Sequence, residues 1–431
     1  MLNVDLRGKK LLLVGGLNTT ADLVFLAHRN GVKIGVADYN KNTYVKGLAD
    51  YAHDINALDE EAVAELFARE GYDGIMTSFN ERLGPVVSRI AEKIGKPFPY
   101  TVEQLRMSTD KKYFKQTCIR YGVPVPREYR ISAIEDIAQC DIQYPVIVKP
   151  VDSASSVGVM PCASAAELEA GVKNALVHSR SGKVIVEQYL PYDEINLTYI
   201  AQDGDIQLAA IHDRYFNTEQ KSATKAPDLY IYPSRYTDLF LEKYNDLVIN
   251  MLRGIGIKNG SLFIQAIIKD SKLYCYEAGM RLNGCKTYQI LEYENDYNTQ
   301  EHLMQFALTG SMGAHTQFNP KMKRWYATLN VLGEPGATIA RYEGIEELET
   351  YPWLIHIARR YTEGQTIPAD SAGTLVQDTT RIHVVADTKE ELIQRIDKVN
   401  ELYKLIDPNG RNIILTPHDL KEVYAGLTYD L

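Results

Sequence analysis

The chain has 431 residues, of which 45% are hydrophobic and 24% are charged, and its formal net charge is −9. This composition is typical of a globular protein built from several packed units. The acidic balance argues against nucleic acid or an anionic membrane as the main partner, because both require clustered basic residues. No run is long and apolar enough to span a bilayer and no basic-then-apolar leader opens the chain, so we expect a cytoplasmic protein.

Strand and helix patterns alternate through the first hundred residues. Buried strands are predicted by "KKLLLVGG", "VKIGVADYN" and "DGIMTS", and helices by "TTADLVFLAHRNG" and "DEEAVAELFAREG", each of which ends at a glycine. This βαβαβ order predicts a parallel sheet with helices on its faces, which is a doubly wound domain. The stretch "GKPFPYT" (95–101) interrupts the rhythm and marks a domain boundary.

Residues 11–38 also have the layout of a dinucleotide-binding unit, with Gly15 and Gly16 after the first strand and Asp38 after the second. The loop is "GGLNTT", however, and lacks the later glycines that permit close approach of a pyrophosphate. An NAD-dependent oxidoreductase is therefore a disfavoured alternative.

Beyond this boundary the predicted elements change in kind. "DKKYFKQTCIRYG" predicts a helix from Asp110 to Gly122, and "VPVPREY" after it cannot be helical. Residues 184–280 are mostly strands by pattern, whereas "TKAPDLYIYPSRY" (224–236) is interpreted as a long, Tyr-rich loop that borders a pocket or only packs. The C-terminal part is mixed, with the strand "RIHVVADT" and the amphipathic helix "KEELIQRIDKVNELYKL". The five cysteines form no CxxC pair, and we expect buried, reduced thiols.

A lysine ends the predicted strand "YPVIVKP", at position 149, and the loop "DSASSVGV" follows it. Such a lysine either extends to solvent or faces an anion in a cleft. The loop favours the anion, because backbone N–H groups and the hydroxyls of Ser153, Ser155 and Ser156 are potential donors, with Gly158 free of the Cβ constraint.

The stretch "VIVEQYLPYDE" follows about forty residues after this lysine. Its strand runs into residues 187–190, and Pro191 then forces the chain to leave its sheet. A backbone segment of this kind can pair with a nucleotide base, and Glu194 can accept from ribose hydroxyls. The alternative is that Glu187 and Glu194 are ordinary surface acids.

Gln265 and Glu277 flank a predicted turn near Asp270-Ser271. With a two-residue loop, Gln265 pairs with Tyr276 and points away from Glu277. With a three-residue loop or a bulge, Gln265 lies opposite Glu277, and their oxygens suit Mg²⁺. A metal site at these two residues therefore requires that Gln265 pairs with Glu277, through either the three-residue loop or a bulge.

The order of these stretches resembles the ATP-grasp superfamily, and the resemblance covers nearly the whole chain. It implies a mixed α/β and α+β protein, with an ATP-grasp fold preceded by a doubly wound pre-ATP-grasp domain. The implied units are 1–98, the pre-ATP-grasp domain; 99–190, the N-terminal lobe with the phosphate loop; 191–320, the C-terminal lobe with the metal site; and 321–431, a C-terminal α+β domain.

The resemblance also implies roles for individual residues. Gln265 and Glu277 match metal ligands for Mg²⁺ or Mn²⁺, and Arg281 matches the arginine that holds the substrate carboxylate or acyl phosphate, with Lys149 assisting catalysis. The residues that match ATP contacts are Lys111, Lys149, Ser155, Ser156, Gly158, Glu187, Gln188, Tyr189, Leu190 and Glu194.

Two departures from the family pattern stand out. The segment "EAGMR" carries Gly279 where the pattern E-x-N-x-R has a metal-binding Asn, so one ligand has to come from elsewhere, with Asn283 as a candidate. The phosphate loop has a single glycine where two or three are usual.

Three more residues are candidates for the substrate side. His212 and Arg214 in "IHDRYFN" either face a substrate or form a structural ion pair at a strand end, and Arg381 is a candidate to reach the cleft from the C-terminal part.

The implied activity is ATP-dependent activation of a carboxylate as an acyl phosphate, followed by attack of an amine to release ADP and phosphate. The matching branch holds L-amino-acid ligases and proteins like carbamoyl-phosphate synthetase and biotin carboxylase. An amino acid or small metabolite is the expected substrate, and a homodimer is a further expectation. The alternatives are a purine-pathway or sugar-phosphate ligase and a non-catalytic ATP-binding regulatory protein.

Overall fold

A computed structural model describes residues 4–131, 133–153, 157–216, 225–417, 419–429 and 431. The predicted doubly wound unit is a four-stranded parallel sheet in the order β3-β2-β1-β4. Its three predicted strands and two predicted helices are confirmed, and a short helix and an edge strand lie between them. The elements are β1 Lys10–Val14, α1 Ala21–Arg29, β2 Lys33–Asp38, α2 Tyr44–Leu48, β3 Tyr51–Asp54, α3 Glu60–Glu70, β4 Gly74–Met76 and α4 Leu83–Lys93.

The glycine pair after β1 serves the turn itself. Gly15 has φ +96°, and a Cβ there would lie 2.6 Å from Leu83 Cδ1. The Gly16 N–H donates to Asp38 Oδ2 at 2.7 Å, and the Asn40 N–H donates to Asp38 Oδ1 at 2.8 Å. Both carboxylate oxygens are therefore engaged by backbone, which accounts for the dinucleotide-like layout without a ribose contact.

A second, four-stranded antiparallel sheet follows in the order β5-β8-β6-β7, with α7 packed on it. The predicted helix from Asp110 is confirmed, because the Asp110 carboxylate caps it by accepting from the N–H groups of Lys112 and Tyr113 at 3.0 and 3.1 Å. The elements are α5 Val102–Thr109, α6 Lys111–Arg120, β5 Glu128–Tyr129, β6 Val146–Pro150, β7 Met160–Cys162, α7 Ala165–His178 and β8 Val184–Gln188.

The largest sheet has eight strands in the order β13-β12-β9-β10-β11-β14-β17-β16. Helices lie between its strands, including two over 237–254 that the sequence reading missed. The elements are β9 Asp193–Gln202, β10 Asp205–Phe216, β11 Pro227–Tyr232, α8 Thr237–Lys243, α9 Asn245–Gly254, β12 Gly260–Lys269, β13 Lys272–Gly279, α10 Thr287–Asn295, α11 Thr299–Thr309, β14 Trp325–Leu332, β15 Arg341–Glu343, α12 Ile345–Leu348, β16 Leu354–Arg359, β17 Asp378–Ala386, α13 Lys389–Leu402, β18 Lys404–Ile406 and α14 Leu420–Gly426. Short 3₁₀ helices span Asn18–Thr20, Ile134–Gln139 and Leu375–Gln377.

The interpretation of 224–236 as a loop is wrong for its central residues. β11 pairs with β10 on one side and with β14 on the other, in the interior of the large sheet. Leu229 and Ile231 enter one core cluster, whereas Tyr230 and Tyr232 enter another on the opposite face. Because both faces are buried, the segment lacks the alternation of apolar and polar residues by which a half-buried strand is recognised.

Two of the three main sheets lie within single units implied by the resemblance, and the third does not. The parallel sheet lies within 1–98 and the four-stranded sheet within 99–190, whereas the eight-stranded sheet begins at Asp193 and draws strands from both 191–320 and 321–431. The division near 320 implied by the resemblance thus separates strands that belong to one sheet.

The cysteines are free, and Cys118, Cys162, Cys275 and Cys285 are buried, while Cys140 is partly exposed. Within the described ranges, no helix combines the length and apolar character needed to cross a membrane.

Candidate active site at the junction of two cavities

Lys149 lies at the end of β6, where it faces β8. Its Nζ lies 2.9 Å from Glu187 Oε2, and the Lys115 Nζ from α6 lies 2.6 Å from Glu187 Oε1. Burial alone would raise the pKa of Glu187, but the charges of Lys149 and Lys115 outweigh it and hold the pKa below its ordinary value. Glu187 is therefore not an ordinary surface acid, and its carboxylate is a buried counter-ion for two lysines.

Lys111 begins α6 and lies beside the loop that follows Lys149. Its Nζ donates to the Ser153 carbonyl at 2.5 Å. Burial, opposed by the charge of Glu277 and reinforced by that of Lys149, lowers the pKa of Lys111. In the same loop Gly158 packs against Pro150 and His178. The predicted contacts Ser155 and Ser156 lie outside the described residues.

A cavity of about 830 Å³, here called the hinge cavity, lies between the four-stranded and eight-stranded sheets. Lys111 and Lys149 line it, and residues 188–194 form one wall. The N–H groups of Gln188 and Tyr189 donate to the Arg127 and Pro145 carbonyls, so Leu190 carries the last N–H before Pro191. Apolar side chains complete the walls: Ile147, Val159, Leu190, Ile267 and Ile268.

The hairpin of β12 and β13 shows how Gln265 and Glu277 are paired. Its loop is the two-residue turn Asp270-Ser271, because Lys269 pairs with Lys272. A bulge then shifts the register, so that Gln265 pairs with Glu277 while Ala266 pairs with Cys275. The two candidate ligands are therefore opposite each other, as the metal reading required.

Tyr276 is the extra residue of this bulge, and polar contacts hold it. Its hydroxyl lies 2.6 Å from Glu194 Oε2 and 3.0 Å from Gln265 Oε1, and it accepts from Arg214 at 2.5 Å. Arg214 also donates to Glu194 at 2.5 Å. The bulge therefore joins the metal-side strands to Glu194 on β9.

The oxygens of Gln265 and Glu277 fit Mg²⁺, which prefers carboxylate and amide oxygen ligands. Glycine at 279 is explained by Phe263, since a Cβ at Gly279 would lie 2.2 Å from that ring. Asn283 is a poor substitute ligand, because its Oδ1 accepts from the Thr287 N–H at 3.1 Å. Over the described ranges, no cluster of three or more His, Cys, Asp or Glu side chains forms a metal site.

A second cavity of about 700 Å³, here called the arginine chamber, adjoins the hinge cavity at these strands. It is lined by residues 16–19, 40 and 42–44 of the parallel domain and by arginines from later parts of the chain: Arg214, Arg281, Arg360 and Arg381.

Partners within the protein orient three of these side chains, those of Arg281, Arg360 and Arg381. Arg281 Nε lies 2.7 Å from Glu81 Oε1, and its guanidinium stands 5.1 Å from the Phe263 ring centroid. Arg381 pairs with Asp378 and donates to the Gly284 carbonyl. Arg360 donates to the Leu375 carbonyl at 2.5 Å. Arg381 thus lines the arginine chamber, which is the cleft that it reaches from the C-terminal part of the chain.

The two cavities meet at one place. Arg214, Lys225, Gln265 and Glu277 line both of them. A group bound in the hinge cavity with its far end at Glu277 would therefore touch whatever occupies the arginine chamber.

His212 does not reach either cavity. It is fully buried, with its ring centroid 4.8 Å from that of Tyr230 and 4.4 Å from that of Tyr232. Burial, together with the charge of Arg214, lowers its pKa well below the ordinary value. The expectation that His212 faces a substrate is wrong, whereas Arg214, two residues along the same face of β10, lies at the junction.

Sequence reasoning missed Glu81, Phe263 and Arg360. Glu81 follows β4, at the carboxyl edge of the parallel sheet where ligands gather in doubly wound domains. That position was a usable signal, whereas Phe263 and Arg360 acquire their roles only through packing between distant segments.

The fold and the two adjoining cavities are similar to those of ATP-grasp proteins. A family model described as D-ala D-ala ligase C-terminus matches residues 127–255. Among curated proteins, the formate-dependent phosphoribosylglycinamide formyltransferase of Corynebacterium jeikeium is 27% identical over 190 residues, which is 43% of this chain and 46% of that protein. The chain spans about half the length of the first curated relatives that it matches.

Solved structures match over nearly the whole chain. The L-amino acid ligase from Bacillus licheniformis superposes with a TM-score of 0.76 at 18% identity, covering 94% of this chain and 100% of that one. The biotin carboxylase domain of Hydrogenobacter thermophilus 2-oxoglutarate carboxylase, solved with MgADP and bicarbonate, gives 0.75 at 18% identity, covering 92% and 90%. The chain therefore has the ATP-grasp fold, and the expected fold class is confirmed.

Proposed function

We propose that this protein is an ATP- and Mg²⁺-dependent ligase that joins the carboxylate of one small molecule to the amine of another. The observation that carries the proposal is the junction, where Arg214, Gln265 and Glu277 line both cavities. One cavity has the lysines and the hinge segment that suit a nucleotide, and the other has arginines that suit a carboxylate. Phosphoryl transfer requires positioning and charge neutralisation, which a junction of this kind supplies.

In this proposal ATP lies in the hinge cavity. Residues 188–190 hold the base, Glu194 faces the ribose, and Lys111 and Lys149 bind phosphate oxygens beside Ser153. Lys149 and Lys115 share Glu187, and Lys115 also lies 3.6 Å from Glu128, so these four groups carry no net charge and the phosphates rely on Lys111 as well as on Lys149. The bound metal, held by Gln265 and Glu277, supplies further neutralisation of phosphate charge.

The acceptor carboxylate lies in the arginine chamber. Arg281 can hold a planar carboxylate through two parallel N–H donors, and its ion pair with Glu81 fixes the direction of the guanidinium. One carboxylate oxygen attacks the γ-phosphorus and ADP leaves. The amine then attacks the acyl carbon, phosphate leaves with the bridging oxygen, and the amine loses a proton.

An amino acid or similar small metabolite is the leading substrate class, supported by the likeness to the L-amino acid ligase over nearly the whole chain. A purine-pathway ligase is the second candidate. It is favoured by the relative from Corynebacterium jeikeium, whose name specifies a phosphoribosylglycinamide substrate. Arg360, Arg381 and Lys225 in the chamber wall would suit the phosphate of such a substrate.

Release of ADP over a panel of carboxylates crossed with amines tests the proposal. We expect ADP only with particular pairs, and a carboxylate labelled with oxygen-18 should pass one labelled oxygen to the released phosphate. Tight ATP binding with no ADP release from any pair would instead favour a non-catalytic ATP-binding regulatory protein. Unlabelled phosphate would contradict the acyl-phosphate route.

We further propose that the protein acts in the cytoplasm as a homodimer, by analogy with the biotin carboxylase domain dimer. Light scattering after size-exclusion chromatography should give twice the chain mass of 48.6 kDa. A single-chain mass across the concentration range would contradict the dimer without affecting the proposed activity.

A further inference from the structure

Asn196 on β9 continues the row of metal-side residues across the large sheet. Gln265 pairs with Glu277 on one side and with Asn196 on the other. Directly paired residues of antiparallel strands point to the same face of the sheet, and their Cβ atoms are about 5 Å apart. The three side chains therefore form one line of oxygen-bearing groups, and all three line the arginine chamber.

The Asn196 side-chain oxygen is buried and has no hydrogen-bond partner. A buried acceptor without a donor costs about 1–3 kcal/mol, so such an atom in a functional cavity calls for an absent donor or cation. His212, the next residue of the row, does not meet this need, because its Nδ1 is also without a partner.

Neither of the neighbouring segments offers an alternative oxygen at this place. Gly279 has no side chain, and the Phe263 ring fills the space in which one would stand. Asn283 directs its oxygen to the Thr287 N–H and its amide nitrogen to the hydroxyls of Thr198 and Thr287. Of the two asparagine side-chain oxygens, that of Asn283 accepts a hydrogen bond and that of Asn196 does not.

We propose that Asn196 Oδ1 is a third ligand of the metal site, contacting the divalent cation directly or through one of its coordinated waters. This inference rests on the proposed function, since it assumes a cation at Gln265 and Glu277. Mg²⁺ commonly keeps several waters, so a ligand one strand away can act through one of them. The site thus obtains its third oxygen from β9 rather than from the strand that carries Glu277.

Mn²⁺ binding in the presence of ADP, followed by electron paramagnetic resonance of the free ion, tests this assignment without relying on catalysis. We expect Asn196→Ala to weaken Mn²⁺ binding by about tenfold. Asn196→Asp should tighten it, because a carboxylate replaces a neutral amide oxygen. Unfolding cannot produce this gain, so the opposite signs separate a ligand from a structural residue.

Asn330 on β14 provides the matched control. Like Asn196 it is 3% exposed and carries a side-chain oxygen without a partner, but it lies three strands away from β9 in the same sheet. Asn330→Ala and Asn330→Asp should leave Mn²⁺ binding unchanged.

The outcomes separate this inference from the proposed function. If the wild-type protein binds Mn²⁺ with ADP and both Asn196 variants match it, the assignment of Asn196 is wrong while the nucleotide site stands. Unchanged Mn²⁺ binding with a raised KM for the amine would likewise overturn it and assign Asn196 to the amine. If the wild-type protein binds no Mn²⁺ with ADP, both proposals fail.

Discussion

The hinge cavity and the arginine chamber use different cations. Apart from the shared residues, Lys111 and Lys149 line the hinge cavity together with Arg235, which is paired with Asp213, whereas Arg281, Arg360 and Arg381 line the chamber. A lysine is a compact charge on a flexible stem and suits a phosphate chain, whereas the planar guanidinium matches a carboxylate with two donors. The difference suggests a division between phosphate binding and carboxylate binding, with the four shared residues between them.

The two groups of cations are also restrained differently. Lys149 shares the buried Glu187 with Lys115, which lies outside both cavities, whereas Arg281 and Arg381 have carboxylates of their own, Glu81 and Asp378. Removing a chamber arginine should therefore affect substrate binding and leave the nucleotide site intact, while removing Lys149 should affect the nucleotide.

The largest effect is expected for Lys149→Ala, which should lower ATP turnover by about 10³-fold because a phosphate-neutralising charge is lost. Lys115→Ala is the matched control, since it removes the other partner of Glu187. We expect this variant to lose about 3 kcal/mol of unfolding free energy, with much smaller loss of turnover. Steady-state kinetics and chemical denaturation measure both. Wild-type turnover in Lys149→Ala would refute its assignment.

Glu277→Gln should shift the Mg²⁺ requirement. Loss of the carboxylate at the junction should raise the Mg²⁺ concentration for half-maximal turnover by about 10- to 100-fold. The shift should affect both half-reactions equally, because the residue lines both cavities. A Mg²⁺ titration identical to that of the wild type would remove Glu277 from the metal site.

Arg360→Gln sharpens the contrast between the cavities. We expect kcat/KM for the carboxylate or amine substrate to fall by about tenfold, as for loss of one hydrogen bond to a charged group, with unchanged affinity for ADP. The neighbouring Arg359 is exposed and stacks 5.1 Å from the Tyr342 ring centroid, so Arg359→Gln is the control. Weakened ADP binding in Arg360→Gln alone would argue against separate roles for the cavities.

The smallest effect concerns the packing behind the metal site. Gly279→Asn should cost about 1–3 kcal/mol of stability, because the new side chain meets the Phe263 ring. Adding Phe263→Ala should recover part of this loss, so the double variant is less destabilised than the sum of the two single variants. If the losses of unfolding free energy in the two single variants add up to the loss in the double variant, the Phe263 ring is not the reason that position 279 requires glycine.

The features of the site that lie in one short stretch could be predicted from the sequence. Lys149 at the end of its strand, the segment 188–190 and the pairing condition for Gln265 and Glu277 are of this kind. The bulge itself could not be predicted, because Tyr276 is held by Glu194 and Arg214 from other strands. The role of Glu187 was likewise hidden, since Lys115 lies 72 residues upstream.

The fold was predictable where alternation of strands and helices was regular, as in the parallel sheet. It was not predictable at β11, where aromatic residues bury both faces of an interior strand. The existence of the chamber could not be predicted from the sequence either, because its arginines and the loops at 16–19, 40 and 42–44 come together only in the folded chain.

The most direct test is a crystal structure with Mn²⁺ and a non-hydrolysable ATP analogue. Anomalous scattering should place Mn²⁺ at the oxygens of Gln265 and Glu277, with the base against residues 188–190 and the γ-phosphate facing the arginine chamber. A nucleotide in the chamber itself, or a triphosphate that points away from Glu277, would contradict the account.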